Sequence, residues 1–101
     1  MYEQGGFTRF LEALSDPIRM QIVFLLHDQA ELNVGEIASR FRISRPAVSH
    51  HLKVLKDAAI VQSEKRGQEN YYWLDSQRMV AALRALADKL EHAAFDKPPS
   101  T

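Results

Sequence analysis

Residues 33–57, NVGEIASRFRISRPAVSHHLKVLKD, join two helical periods through a joint too short for anything but a sharp turn. Val34, Ile37, Ala38 and Phe41 share one face of the first segment, and Val48, Leu52 and Leu55 share one face of the second at i, i+4 and i+7. Asn33, with Glu36 three residues later, makes a capping-box start. Arg42-Ile43 is the joint, Ser44 is placed to cap the second helix, and Pro46 falls in its first turn, where proline is tolerated. Two helices whose apolar faces must meet across such a joint form a helix-turn-helix. The pairing leaves the far side of the second helix in solvent, and that side carries Arg45, Ser49 and Lys53 at i, i+4 and i+8. Pro46 and His50 flank this row.

The flanking segments complete the architecture. Phe7, Phe10, Leu11 and Leu14 space one apolar stripe over residues 7–14. Ser15-Asp16-Pro17 ends that helix and starts another, with Asp16 as N-cap and Pro17 at the first helical position; Ile18, Ile22, Leu25 and Leu26 carry it to about Asp28. From Ile60 the period changes to two. Residues 60–64 and 71–74 are predicted strands, and 66–70 the hairpin between them, with Gly67 supplying a positive φ. Tyr72 and Leu74 are expected to face the core, and Tyr71 and Trp73 to pack on a neighbouring helix or stay half exposed. The helical period returns at Ser76, where Met79, Val80, Leu83, Leu86, Ala87, Leu90 and Ala94 trace one stripe to about Phe95. The predicted fold is therefore mostly α with a β-hairpin wing, a winged helix-turn-helix forming one domain over residues 1–95, followed by a disordered tail at 96–101.

Charge sharpens the reading. The chain of 101 residues has a formal net charge of zero, yet residues 40–66 carry seven lysines and arginines against two acids. A basic centre on a neutral protein is the footprint of a polyanion site. Short polar groups near the start of the second helix suit base edges, so Ser49 and His50 are expected to contact bases, and Arg45 to reach guanine or phosphate. Lys53, Lys65, Arg66 and Arg40 or Arg42 suit phosphates, and the tip Lys65-Arg66-Gly67-Gln68 can lie along an adjacent groove. The expected partner is double-stranded DNA.

Other classes find little support. The chain has no cysteine, which removes disulfides, thiolate nucleophiles and thiolate metal sites. No carboxylate pair, nucleophile with base, or metal triad stands at a workable spacing, so the protein is not expected to be an enzyme or to need a cofactor. His50 and His51 are adjacent on a helix and do not face one another, so they are no metal pair; His51 is expected to pack at the helix flank. With 46% apolar and 26% charged residues and no apolar run of membrane-spanning length, the chain reads as globular, with no membrane partner and a cytoplasmic location.

Residues 14–75 resemble the ArsR/SmtB family of bacterial winged-helix regulators. LSDPIRMQIVFLL is similar to that family's second helix, SRPAVSHHLKVLKDAAIV to its recognition helix, and KRGQENYYWL to its wing. The resemblance implies a homodimeric transcriptional repressor on an imperfect inverted-repeat operator. It places Arg45, Pro46, Ser49 and His50 against DNA, and the expected DNA-binding set is these with Ser44, Ala47, Lys53 and the wing residues Lys65, Arg66, Gly67 and Gln68. The first and last helices then supply the dimer interface, through Phe7, Phe10, Leu11, Leu83, Leu86 and Leu90.

Three departures matter. The family commonly has glycine where this chain has Ala59, a helix end that favours a left-handed residue and costs alanine roughly 1 kcal/mol. Either that strain is tolerated or the helix ends through another conformation. Thiolate-sensing members read ELCVCDLA where this chain reads ELNVGEIA, so Asn33 and Gly35 stand where two cysteines bind the metal. Members with an interhelical metal site carry D-x-H and H-x-x-H or H-x-x-E; in register this chain has Ser76, Arg78, Lys89 and His92, one ligand of four. No metal site is therefore expected, and control by abundance, a partner protein or an unidentified ligand is. Asp88 and His92, i and i+4 on the last helix, are the remaining candidate for a non-standard site, against a plain surface pair.

Overall fold

The computed structural model describes residues 5–92. In chain order the elements are α1 (Gly5–Leu14), α2 (Pro17–Gln29), β1 (Glu31–Asn33), α3 (Val34–Phe41), α4 (Arg45–Asp57), β2 (Val61–Arg66), β3 (Glu69–Leu74) and α5 (Ser76–Glu91). Five helices and a hairpin follow the expected order, and the helix-turn-helix is α3–α4. The tail expected at 96–101, and Ala94 and Phe95 at the end of the last stripe, lie outside the described residues.

Local chemistry sets the helix starts. Asp16 accepts from the backbone N–H groups of Ile18 and Arg19 at 2.9 and 3.0 Å, satisfying two donors that a first turn leaves open. Those bonds, the one from Arg19 first, hold the Asp16 carboxyl below its usual range. At α3 the capping box closes in both directions: Glu36 N–H to Asn33 Oδ1 at 2.8 Å and Asn33 N–H to Glu36 Oε1 at 2.9 Å. Ser44 Oγ accepts from Ala47 N–H at 3.2 Å and starts α4.

The end of α4 resolves the question raised by Ala59. The Ile60 N–H reaches back to the Leu55 carbonyl and the Ala59 N–H to that of Lys56, both at 2.9 Å. With Ala59 at φ 61°, this is a Schellman ending, and its apolar pair, Leu55 and Ile60, is fully buried. Alanine thus takes the left-handed position and tolerates the strain. Ala59→Gly is expected to stabilise the fold by up to about 1 kcal/mol, since glycine lacks the Cβ that opposes this conformation. Chemical denaturation of both proteins measures it; an unchanged midpoint would show that the alanine costs nothing here.

The sheet differs from expectation in two respects. β1, unforeseen, pairs antiparallel with β3 in register Glu31↔Trp73, Leu32↔Tyr72 and Asn33↔Tyr71, giving the order β1-β3-β2. β2 and β3 run longer than expected and close through Gly67-Gln68, with Arg66 opposite Glu69. The positive φ of 61° falls on Gly67 alone of these two, as in the type II′ turn that suits twisted strands. Alternation puts Leu32, Val61, Tyr72 and Leu74 on the side that packs into the core, and Glu31, Gln62, Glu64, Arg66, Tyr71 and Trp73 on the outer side.

The core gathers Ile22, Leu26, Ile37, Val48, Leu52, Leu55, Ile60 and Val61. Phe10 corrects one expectation. Expected at a dimer interface, it is only 4% exposed and belongs to the core of its own chain, because α1 turns Phe10 and Ala13 inward. Leu11, on the other side of α1, is 46% exposed. α5 has no buried residue at all: Met79 and Ala82 touch the core, while Val80, Leu83 and Leu90 lie along its outer side at 49, 47 and 69% exposure.

Candidate nucleic-acid interface

α4 presents two unlike sides. Val48, Leu52 and Leu55 are fully buried, whereas Ser44, Arg45, Pro46, Ser49, His50 and Lys53 are exposed and Ala47 half-buried. The expected reading row therefore stands free in solvent on a helix whose back is locked into the core. Its first turn is ordered by the Ser44 cap, so Arg45 and Ser49 leave the protein from a fixed base.

Arg45 has a further neighbour. Its guanidinium lies across Gly35 in the first turn of α3, so that a Cβ built at Gly35 would collide with Nη2. Gly35 thus leaves room for one placement of the Arg45 side chain, a neighbourhood that sequence reading, which noticed only its difference from cysteine, did not find. Asn33, at the other such position, is fully occupied with capping α3.

The helix flank is held by Arg19. Its Nε donates to the Ala13 carbonyl at 2.8 Å, its Nη2 to the Glu12 carbonyl at 3.2 Å, and its Nη1 to His51 Nδ1 at 3.2 Å. His51 accepts this bond only with an unprotonated Nδ1. Partial burial pushes its pKa down, and the nearby Arg19 and His50 act in the same direction against Asp16. His51 is accordingly half-buried at the flank, as expected, while its neighbour His50 points into solvent.

The basic residues separate into paired and unpaired groups. Lys53 is bonded to Asp57 at 3.0 Å, one helical turn along. Arg66 is engaged by Glu31 through two bonds of 2.6 and 3.0 Å and by Glu64 at 2.9 and 3.1 Å, and its guanidinium lies 4.9 Å from the centre of the Tyr71 ring. These hydrogen bonds hold Glu31 below its usual pKa and raise Arg66 further above its own. Lys56, which sequence reading did not single out, donates to Ser63 Oγ at 2.6 Å and so marks the side of β2 that faces α4. Lys65 is two residues beyond Ser63 and lies on that same side, with Gly67 and Gln68 exposed at the tip. Arg66 is on the opposite side. Adjacent in sequence, Lys65 and Arg66 are thus separated by the pleat, and among the described residues Arg40, Arg42, Arg45, Lys56 and Lys65 are the cations of the basic centre without a carboxylate partner.

Among the described residues, no group of three or more His, Asp or Glu is placed to hold a metal ion. His92 Nδ1 donates to the backbone carbonyl of Asp88 at 2.8 Å, so the ring turns to its own helix end and not to the carboxylate. Among the described residues, no helix is long and apolar enough to cross a membrane.

A capped helix-turn-helix, a three-stranded sheet with a projecting hairpin and a basic exposed recognition helix define a winged helix-turn-helix regulator. Residues 16–63 match the model of the bacterial regulatory protein arsR family. The chain is 42% identical over 64% of its length to the transcriptional repressor SdpR of Bacillus subtilis, covering 71% of that protein. It is 34% identical over 88% of its length to an HTH-type transcriptional regulator of Methanocaldococcus jannaschii, covering 97% of that one. Among solved structures, a homodimeric winged helix-turn-helix DNA-binding domain from Mycobacterium bovis is 28% identical, with a TM-score of 0.67 over 96% of this chain and all of that one. The protein belongs to the arsR family of DNA-binding transcription regulators.

Proposed function

We infer that this protein is a homodimeric repressor that occludes a promoter by binding an imperfect inverted repeat, without a metal effector. The observation that carries the reading is the exposed row Arg45, Ser49 and His50 on a helix whose opposite side is fully buried. In it, Arg45, Ser49 and His50 choose sequence, while Lys65, Arg40, Arg42 and Lys56 meet phosphates. A two-fold dimer sets two such helices about one DNA turn apart. Support for the dimer comes from α5, whose outer apolar row is not covered by the other described residues, and from the homodimeric relative of known structure. Support for repression comes from the similarity to a named repressor.

Mixing the protein with genomic fragments and sequencing the retained DNA tests the reading and identifies the operator. On that operator, Lys65→Ala is expected to weaken binding to all sequences alike and to lower the slope of log K against log salt by about one. Equal slopes for the two proteins would remove Lys65 from the phosphate contacts.

Metal independence rests on the donor set: Asn33, Gly35, Ser76, Arg78 and Lys89 offer neither thiolate nor imidazole, and Arg78 pairs with Asp75 at 3.4 Å. The protein–DNA complex should keep its melting temperature and its affinity in micromolar zinc or nickel. Release of the DNA by either ion would refute metal independence.

A further inference from the structure

We propose that Glu31 is a positioning residue for the wing: by clamping Arg66 on the outer side of the sheet, it fixes how Lys65 and the Gly67-Gln68 tip stand relative to α4. The inference rests on the reading of the wing as a DNA contact and adds a residue to it that touches no DNA.

The sheet explains why a clamp is needed. β1 covers only Tyr71, Tyr72 and Trp73, so beyond Tyr71 the hairpin is a two-stranded ribbon with neither a third strand nor core beneath it. Such a ribbon is marginal by itself in water. Among the described residues, Lys65, Gln68, Glu69 and Asn70 make no side-chain hydrogen bond or ion pair, so the side-chain ties of residues 65–70 are those of Arg66, and the Lys56–Ser63 bond holds β2 to α4 only below them. From β2, Arg66 reaches over Tyr71 on β3 to Glu31 on β1, spanning all three strands. β1 in turn ends at Asn33, the cap of α3. The clamp therefore joins the wing to the helix-turn-helix through two residues of chain.

An isolated exposed ion pair contributes little to stability. This one is two-pronged, shares its guanidinium with a second carboxylate and rests on an aromatic ring, which is the geometry in which such pairs do count. The cluster also has two carboxylates for one guanidinium. It carries net negative charge and repels phosphate, so it serves the wing's shape and not direct contact.

That charge gives the test its sign. Neutralising an acid beside a DNA-binding surface should, by Coulomb attraction alone, tighten binding. As a positioning residue, Glu31 predicts the reverse. Glu31→Gln should bind the retained operator about three- to tenfold more weakly with an unchanged salt slope, and Glu31→Gln combined with Arg66→Gln should be no weaker than either alone. Glu69→Gln, which removes a wing acid with no partner, should bind as tightly as the parent or more tightly. In free protein, amide hydrogen exchange at residues 65–70 should speed up several-fold in Glu31→Gln while α4 is unchanged. Tighter binding with a steeper slope in Glu31→Gln would overturn the proposal, because Arg66 would then be a phosphate contact held in reserve. Unchanged exchange at the tip would overturn it whether or not DNA is bound. Absence of duplex binding by the parent protein would instead refute the DNA reading and leave the clamp to be decided by the exchange measurement.

Discussion

Leu83→Glu is expected to convert the protein to a monomer and to weaken operator binding about a hundredfold or more. Leu83 sits mid-way along the outer row of α5 and is 47% exposed in a single chain, between Val80 and Leu90. In a two-fold dimer one substitution changes the interface twice, and each glutamate would have to be buried without a partner. The affinity loss follows from linkage: two half-sites bound by one rigid body gain a factor of roughly 10²–10⁴ over one, and a monomer forfeits it. The fold itself should survive, because α5 contributes no buried residue. Sedimentation velocity gives the mass and fluorescence anisotropy the affinity. A monomer that binds the full operator like the parent would separate dimerisation from recognition; an intact dimer would move the interface elsewhere. The same argument reaches Leu11, Leu90 and the half-buried Phe7 and Leu86, but not Phe10.

Arg45→Ala should act differently. It is expected to lower affinity for the operator by about ten- to a hundredfold and to flatten the preference at one base pair in each half-site, since a well-seated arginine–guanine pair discriminates by about 1–3 kcal/mol. Arg45 follows the Ser44 cap directly, and its guanidinium lies in the space left by the missing side chain of Gly35. Titrating operators altered one base pair at a time separates the outcomes. If Arg45→Ala lost the same factor on every sequence, Arg45 would be a phosphate contact like Lys65.

These residues show how much could be read from the chain. Helix starts were legible because a cap is a local event: Asp16, Asn33 and Ser44 accept from N–H groups only two or three residues further on, within reach of the sequence itself. The left-handed end at Ala59 was likewise placed correctly in the chain, with only its outcome open. β1 was not legible, since Glu-Leu-Asn lacks β-branched residues and becomes a strand only by pairing with Tyr71, Tyr72 and Trp73. The partner of the wing arginine was missed for the same reason. Its carboxylate partner Glu31 is 35 positions away, and charge counting cannot see that a cation is already bound. The Lys53–Asp57 pair, at helical i,i+4 spacing, was within reach of the sequence and was overlooked. The stripe on α1 was ambiguous in principle: Phe10 and Leu11 are equally apolar, and only the packed fold turns one inward and the other outward.

Arg19 deserves a last consequence. Its three bonds draw the end of α1, the start of α2 and the flank of the recognition helix into one planar fork. α1 is also the helix whose outer side exposes Leu11. The guanidinium therefore ties the helix that carries the exposed Leu11 to the flank of the helix that carries Arg45 and Ser49. In the proposed dimer, losing that fork is expected to loosen the setting of α4 against α1 while leaving the core packed.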